Sequence, residues 1–262
     1  MENATKALLI AGGIFIIMLI ITLLVVFRSQ LASYMEEKHN EKIVAQVVEV
    51  NSKFSEYQGK EIRGNELISI MNRIIDYNNL QASEYGYDKI SISIDLVNRD
   101  VFLQDVKYSN TGTDSIFDIS GNIIKNGNDD SSIKKIANLS SKLVADNNSI
   151  PNINDTKLQR LSANISYIFC SEDNIDDKKT RSQKLTSILG YKVDEDGYIV
   201  INNKKKNILQ SVQNATKQYY QLTQFKRAMF TCTEIGYNTK DNGRINSMKF
   251  IIKTENGKIV FN

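Results

Sequence analysis

The residues best equipped for chemistry are one histidine, His39, and two cysteines, Cys170 and Cys232. A Ser-His-Asp or Cys-His arrangement needs its imidazole in a walled pocket, and zinc needs several His or Cys ligands. His39 stands between Met35 and Ile43 on one stripe of a helical pattern, far in sequence from either cysteine. It reads as a packing or interface residue. Cys170 and Cys232 lie far enough apart that, in an oxidising exterior, a disulfide between them would contribute on the order of 4 kcal/mol by loop entropy. Two buried free thiols are the equal alternative.

Acidic clusters are the next candidates. Asp194-Glu195-Asp196-Gly197 followed by Ile199 resembles the middle of a calcium loop, but aligned that way the first position is Lys192 and the last is Asn203. Both essential carboxylates are missing, so a hairpin turn at Asp196-Gly197 is the better reading. Asn128-Asp129-Asp130 reads as a solvated turn, and Lys204-Lys205-Lys206 as a solvated charge run before a helix. There is no glycine-rich phosphate loop, GxGxxG or GxSxG. Carboxylates are plentiful, but nothing singles out two of them as an acid pair. The chain therefore reads as a non-enzyme requiring no cofactor and no metal.

What must position any surface of this protein is its front end. Ala7–Phe27, ALLIAGGIFIIMLIITLLVVF, carries no charge over 21 residues, which meets the requirement of roughly 20 apolar residues for a helix crossing about 30 Å of hydrocarbon. A buried core helix would keep a polar stripe. A cleaved signal would have an h-region of roughly 7–15 residues and an A-x-A site, which RSQLASYMEEK does not offer. The segment reads as an uncleaved anchor, with Ala7, Ala11, Gly12 and Gly13 as small residues where another helix could approach closely in the bilayer. The flanking charge count is indecisive, with Lys6 and the α-amine on one side against Arg28, Lys38 and Lys42 on the other. A large C-terminal domain can translocate regardless of such a count, so the domain is expected outside the cell.

Beyond the membrane the apolar pattern narrows to one stripe. Leu31, Met35, Ile43, Val47, Val50, Phe54 and Tyr57 recur at helical spacing, so the helix is expected to continue to about Phe54 as a rod of some 70 Å. Its seam, Ile43, Val47, Val50 and Phe54, would lie on a domain or on a partner, and His39-Asn40 marks the place for a kink. Asn65 is the expected N-cap of a helix to Tyr77 that folds back on the rod. Lys89–Val97 alternates as a half-buried strand, and a second strand is expected at Val101–Tyr108.

Residues 109–130 read as loop with a brief strand near Ile116–Ile119. Ser131–Ala145 reads as helix. Leu158–Phe169 fits helix or strand, and Lys178–Leu189 fits a helix stopped by Gly190. Tyr191–Asn202 reads as the hairpin and Lys205–Leu222 as another amphipathic helix. Lys226–Tyr237, Arg244–Thr254 and Lys258–Phe261, joined by KDNG and ENG, predict a three-stranded antiparallel meander. Basic and acidic residues number 33 and 30 and are scattered, so no single-sign field favours nucleic acid.

This layout of an uncharged N-terminal helix, a half-exposed amphipathic continuation and an α+β domain ending in antiparallel sheet resembles type IV pilins and pseudopilins. The runs FSEYQGKEIRGNELISIMNRIIDYN and YYQLTQFKRAMFTCTEIGY are similar to single-span, pilin-like surface proteins of Gram-positive bacteria. A type IV prepilin has Glu five residues after its leader glycine; here Met18 stands five after Gly13, and the residues before Gly13 are already apolar. The resemblance implies a membrane-held subunit that packs helix on helix, with Glu2 or Lys6 as an inter-subunit charge. Its partners would be the lipid bilayer and other copies or other pilin-like subunits. The expected organisation is an anchor at 1–30 and an α+β soluble domain at 31–262, with 31–57 continuing the anchor and 226–262 forming the C-terminal sheet. The expected function is a non-enzymatic single-pass surface protein, a pilin-like subunit or a component of a secretion or transfer apparatus. The alternative is a membrane-tethered binding module without an assembly role.

Overall fold

The computed structural model describes residues 2–82, 87–96, 102, 144, 147–239 and 242–261. Helix α1, Glu2–Ser55, is a single run of 54 residues, about 80 Å long at about 1.5 Å per residue. It passes through His39-Asn40 without interruption. The expected kink is absent because neither residue removes a backbone donor or breaks the hydrogen-bond ladder as proline would.

A turn containing Gly59, at φ 72°, leads into a short strand that sequence periodicity did not reveal, β1 at Glu61–Arg63. Helix α2, Gly64–Asp76, starts before Asn65 and has no side-chain cap. Tertiary contact replaces the cap: Gly64 N–H donates to Ala228 C=O at 2.9 Å, and a Cβ added at Gly64 would collide with the carbonyl of Phe225. The last turn passes into a π-helical segment, Tyr77–Ala82. There the buried Asn78 amide donates to Ile90 C=O at 2.9 Å and accepts from Ile90 N–H at 2.8 Å, which sets the start of β2, Ser91–Asp95.

The expected strands at Val101–Tyr108 and Ile116–Ile119, the helix at Ser131–Ala145 and the Asn128–Asp130 turn lie outside the described residues, apart from Phe102 and Val144. After them, α3 (Asp155–Ala163) and α4 (Ile165–Ile168) show the ambiguous Leu158–Phe169 stretch to be helical. Helix α5, Ile175–Leu189, is capped by Asn174, whose side chain accepts from two backbone N–H groups, and ends on Gly190 at φ 84°. The left-handed position is one that glycine adopts without steric cost.

The hairpin is displaced from its expected place. Strands β3 (Tyr198–Ile201) and β4 (Lys204–Asn207) pair around Asn202-Asn203, both at positive φ. That makes Asn-Asn the two-residue turn. Asp196-Gly197 is the preceding turn, and the lysine run is a strand. Helix α6 then runs from Leu209 to Arg227.

The C-terminal part also departs from a three-stranded meander. Strands β5 (Met229–Asn238) and β6 (Arg244–Ile252) form the expected antiparallel hairpin. Their flanks are β1, antiparallel to β5, and β2, parallel to β6, giving the order β1-β5-β6-β2. The residues expected as a third strand form instead a small ribbon of β7 (Thr254–Glu255) and β8 (Lys258–Ile259). Distant segments win the sheet edges because Ile62, Ile92 and Ile94 bring buried apolar side chains that the short C-terminal run lacks.

Two apolar cores result. One lies under the mixed sheet and unites Val50 and Phe54 of α1 with Leu67, Ile70 and Ile74 of α2 and Phe230, Met248 and Phe250 of the sheet. The other joins α3, α4, α5, α6 and β3 through Leu158, Leu161, Leu185, Ile199 and Val212. Helix α6 belongs to both, with Leu222 in the second and Phe225 in the first. The body at the end of the long apolar helix is a mixed helix-and-sheet, α+β arrangement.

Candidate functional site

The two halves of α1 carry the features most open to a functional reading. In the first half, every large apolar side chain from Leu8 to Phe27 is at least 50% exposed. None of the apolar stretch is covered by the protein, and the helix is long and apolar enough to span a membrane. Ala7, Ala11, Gly12 and Gly13 are all exposed, and a Cβ built at either glycine meets nothing. Glu2 and Lys6 meet each other at 3.1 Å, one helical turn apart, so the structure shows them as an intrahelical pair. His39 is exposed; it is not on the packed seam, because the docked part of the helix begins one turn later.

The second half is fastened to its own domain. Val47, Val50 and Phe54 are buried and Ile43 is half-buried, so of the two expected places for the seam the structure shows the domain. Polar contacts fix the register of this docking. Asn51 Nδ2 donates to Gly243 C=O at 2.8 Å, and its Oδ1 accepts from Ile245 N–H at 2.9 Å. One side chain thus completes the backbone ladder at the start of β6. Gln46 accepts from the Tyr87 hydroxyl at 2.8 Å, and Arg73 of α2 donates to the Tyr57 hydroxyl at 3.2 Å. Burial of Tyr57 raises its phenol above the ordinary range. A groove of about 430 Å³ runs between α1 and α2, with Phe54 and Tyr77 in its floor and Lys53, Arg73 and Asp76 on its rim.

Cys170 and Cys232 are free. Cys232 is packed in the sheet core, and Cys170 is half-buried near Arg181 and outside that core. The disulfide alternative is therefore not formed. Burial raises both thiols above their ordinary range, which leaves them protonated and poorly nucleophilic.

The acidic turn is taken up by protein groups. Asp194 Oδ1 accepts from the N–H groups of Asp196 and Tyr198 at 3.2 and 2.7 Å, while Lys205 approaches Oδ2 at 3.6 Å and Lys178 approaches Asp196 at 3.8 Å. Among the described residues no group of three or more His, Cys, Asp or Glu side chains could hold a metal ion.

Two charged features escaped sequence reading. Arg181, 1% exposed, donates to both carboxylate oxygens of Glu172 and to Glu195 C=O. Hydrogen bonding to Arg181 holds the Glu172 carboxyl below its usual range. Arg244, also 1% exposed, lies with its guanidinium 3.6 Å from the centroid of the Tyr87 ring. Helical periodicity places Arg181 on the buried side of α5, but its partner lies in the preceding loop, where no spacing rule points to it.

No protein-family model matches the chain, and neither a curated protein nor a solved structure matches it.

Proposed function

We propose that the protein is a non-enzymatic, single-pass membrane-anchored surface protein, a pilin-like subunit or a component of a secretion or transfer apparatus, acting by helix packing and display. The observation that carries this reading is the division of labour within α1. Its apolar half is wholly uncovered while its amphipathic half is built into the domain core. An all-round apolar helix has no water-compatible face and is satisfied by hydrocarbon. Ala7 and Ala11, one turn apart on the same side, and Gly12 and Gly13 beside them then offer places where neighbouring helices approach closely in the bilayer, and the domain is displayed outside the cell.

The Asn51 clamp and the buried seam supply stiffness. A domain fastened to its own transmembrane helix transmits helix packing in the membrane into a defined arrangement of domains above it. Electron microscopy of shed surface material tests this: filaments containing the chain are expected. Protease added to intact cells should digest the domain, and its protection would refute the external placement.

A second reading, a membrane-tethered binding module without an assembly role, is favoured by one observation. The seam that could have met a partner is spent on the protein's own domain. Detergent-solubilised chains that stay monomeric, with no filaments on cells, would support it over the first.

A further inference from the structure

The ribbon β3–β4 stands apart from the main sheet, and among the described residues each of its strands pairs only with the other. Its register fixes which backbone groups face outward. The turn at Asn202-Asn203 makes Ile201 and Lys204 a hydrogen-bonded pair, so by alternation Ile199 and Lys206 form the next, and Tyr198 and Val200 turn their N–H and C=O away from β4. The chain itself confirms that direction. Tyr198 C=O accepts from Asp194 N–H at 3.0 Å, and Tyr198 N–H donates to Asp194 Oδ1 at 2.7 Å.

Asp194 therefore makes the first rung of a third strand and the chain then leaves that position. The next rung, at Val200, has no backbone partner among the described residues, and the Val200 side chain is 66% exposed. Beside it lies a groove of about 580 Å³, bounded by Pro151, Tyr191, Lys192, Ile201 and Lys205. The Tyr191 hydroxyl is enclosed there and has no hydrogen-bond partner among the described residues. Burial pushes its phenol up to about 12, so it is a neutral donor at any physiological pH.

Among the residues lining the groove the two lysines, Lys192 and Lys205, outnumber the one acid, Asp194, while Glu195 and Asp196 stand on the adjoining turn with Asp196 3.8 Å from Lys178. Lys192 is exposed, and Lys204, Lys205 and Lys206 line β4. Asp194, the acidic side chain at the groove, already accepts two backbone N–H groups and faces Lys205.

We propose that the open edge of β3 is a docking site for an extended, acidic peptide segment of a partner protein, which adds as a third strand. Its backbone would pair with Val200, and its carboxylates would meet Lys192 and Lys205. Strand addition of this kind draws affinity from main-chain bonds and selectivity from alternate side chains. The site lies on the surface over the second core and does not depend on what α1 does in the bilayer.

The test uses the full chain in detergent micelles and a fluorescein-labelled peptide, Thr-Glu-Val-Glu-Thr-Glu-Val, read by anisotropy. Saturable binding is expected, roughly tenfold or more tighter than for the same peptide with Lys in place of Glu. Val200→Pro removes the outward N–H, which meets no acceptor among the described residues, at an edge position that tolerates proline, and should abolish binding without shifting the melting curve. Lys192→Glu with Lys205→Glu should weaken it by roughly tenfold. Should Val200→Pro fail to fold, a peptide N-methylated at every residue blocks the same rungs from the ligand side and is expected not to bind. Equal binding of the Lys peptide, undiminished binding of the N-methylated one, or no saturable binding at millimolar peptide would overturn the proposal. So would self-association of the chain that Val200→Pro abolishes, which would give this edge to a second copy.

Discussion

Residues 8–27 and 43–54 belong to one unbroken helix with one backbone ladder, yet the first stretch leaves every large apolar side chain at least half exposed and the second buries Val47, Val50 and Phe54. The difference lies in how apolar residues are arranged around the axis. A stripe has one face to satisfy and can find it on a sheet; an all-round apolar surface would need protein on every side, which a domain of this size does not supply. The same element thus suits two solvents. The charged stretch between them, which includes Glu36, Glu37, Lys38 and Lys42, is compatible with water.

The largest test of that contrast is removal of residues 2–30. The shortened chain should leave the membrane fraction entirely, while its melting temperature stays within about 2 °C of the parent, since none of the removed side chains is buried. A collapse of the melting transition would show that the two halves are not independent. Next comes Phe54→Ala, expected to lower unfolding free energy by about 3–5 kcal/mol through transfer and cavity terms. Phe15→Ala, the same change in the exposed half, should leave denaturant unfolding of the domain unaltered.

Asn51→Ala sharpens the comparison at the point where the docked half meets β6. It strips partners from Ile245 N–H and Gly243 C=O, at a cost of about 1–3 kcal/mol. Amide exchange at Ile245 should accelerate, while exchange in α3 and α5 should not.

The smallest effect lies at the start of α5, a helix that packs in the second core, which α1 does not enter. Glu172 has its folded pKa depressed by Arg181, so its contribution is present above the ordinary carboxylate pKa and is lost as pH falls through the depressed value. Glu172→Gln should flatten that part of the acid-unfolding profile. The side chain is 56% exposed, and solvent screening keeps the effect to about 1 kcal/mol or less. A steep, unchanged acid transition in the variant would place the sensitive group elsewhere.

Strong periodicity made parts of this fold legible. The 4–3–4–3 seam, the alternation of Ile90, Ile92 and Ile94, and the stop at Gly190 each register in a short window, and each appears in the structure. The turn at Asp196-Gly197 misled because Asp-Gly is a common hairpin signal, whereas the Asn202-Asn203 pair, which also tolerates positive φ, closes the actual ribbon. Strand β1 was too short to show a period, and the start of α2 was set by Ala228 and Phe225 far along the chain. Of the candidate site residues, the buried seam was readable. The Asn51 clamp, the Arg181–Glu172 pair and the open edge at Val200 were not.

By itself the sequence determined that the chain carries one uncharged helix able to cross a bilayer, followed by an amphipathic continuation and an α+β body. Those properties follow from residue order within a few turns or pleats, where spacing alone decides which side chains share a face. Only the tertiary structure decided that the seam lies on the protein's own sheet, that β1 and β2 flank the β5–β6 hairpin, and which charged side chains meet. Such pairings join residues up to 194 positions apart. They are set by the combined gain of many weak contacts against chain entropy, a balance no local pattern records.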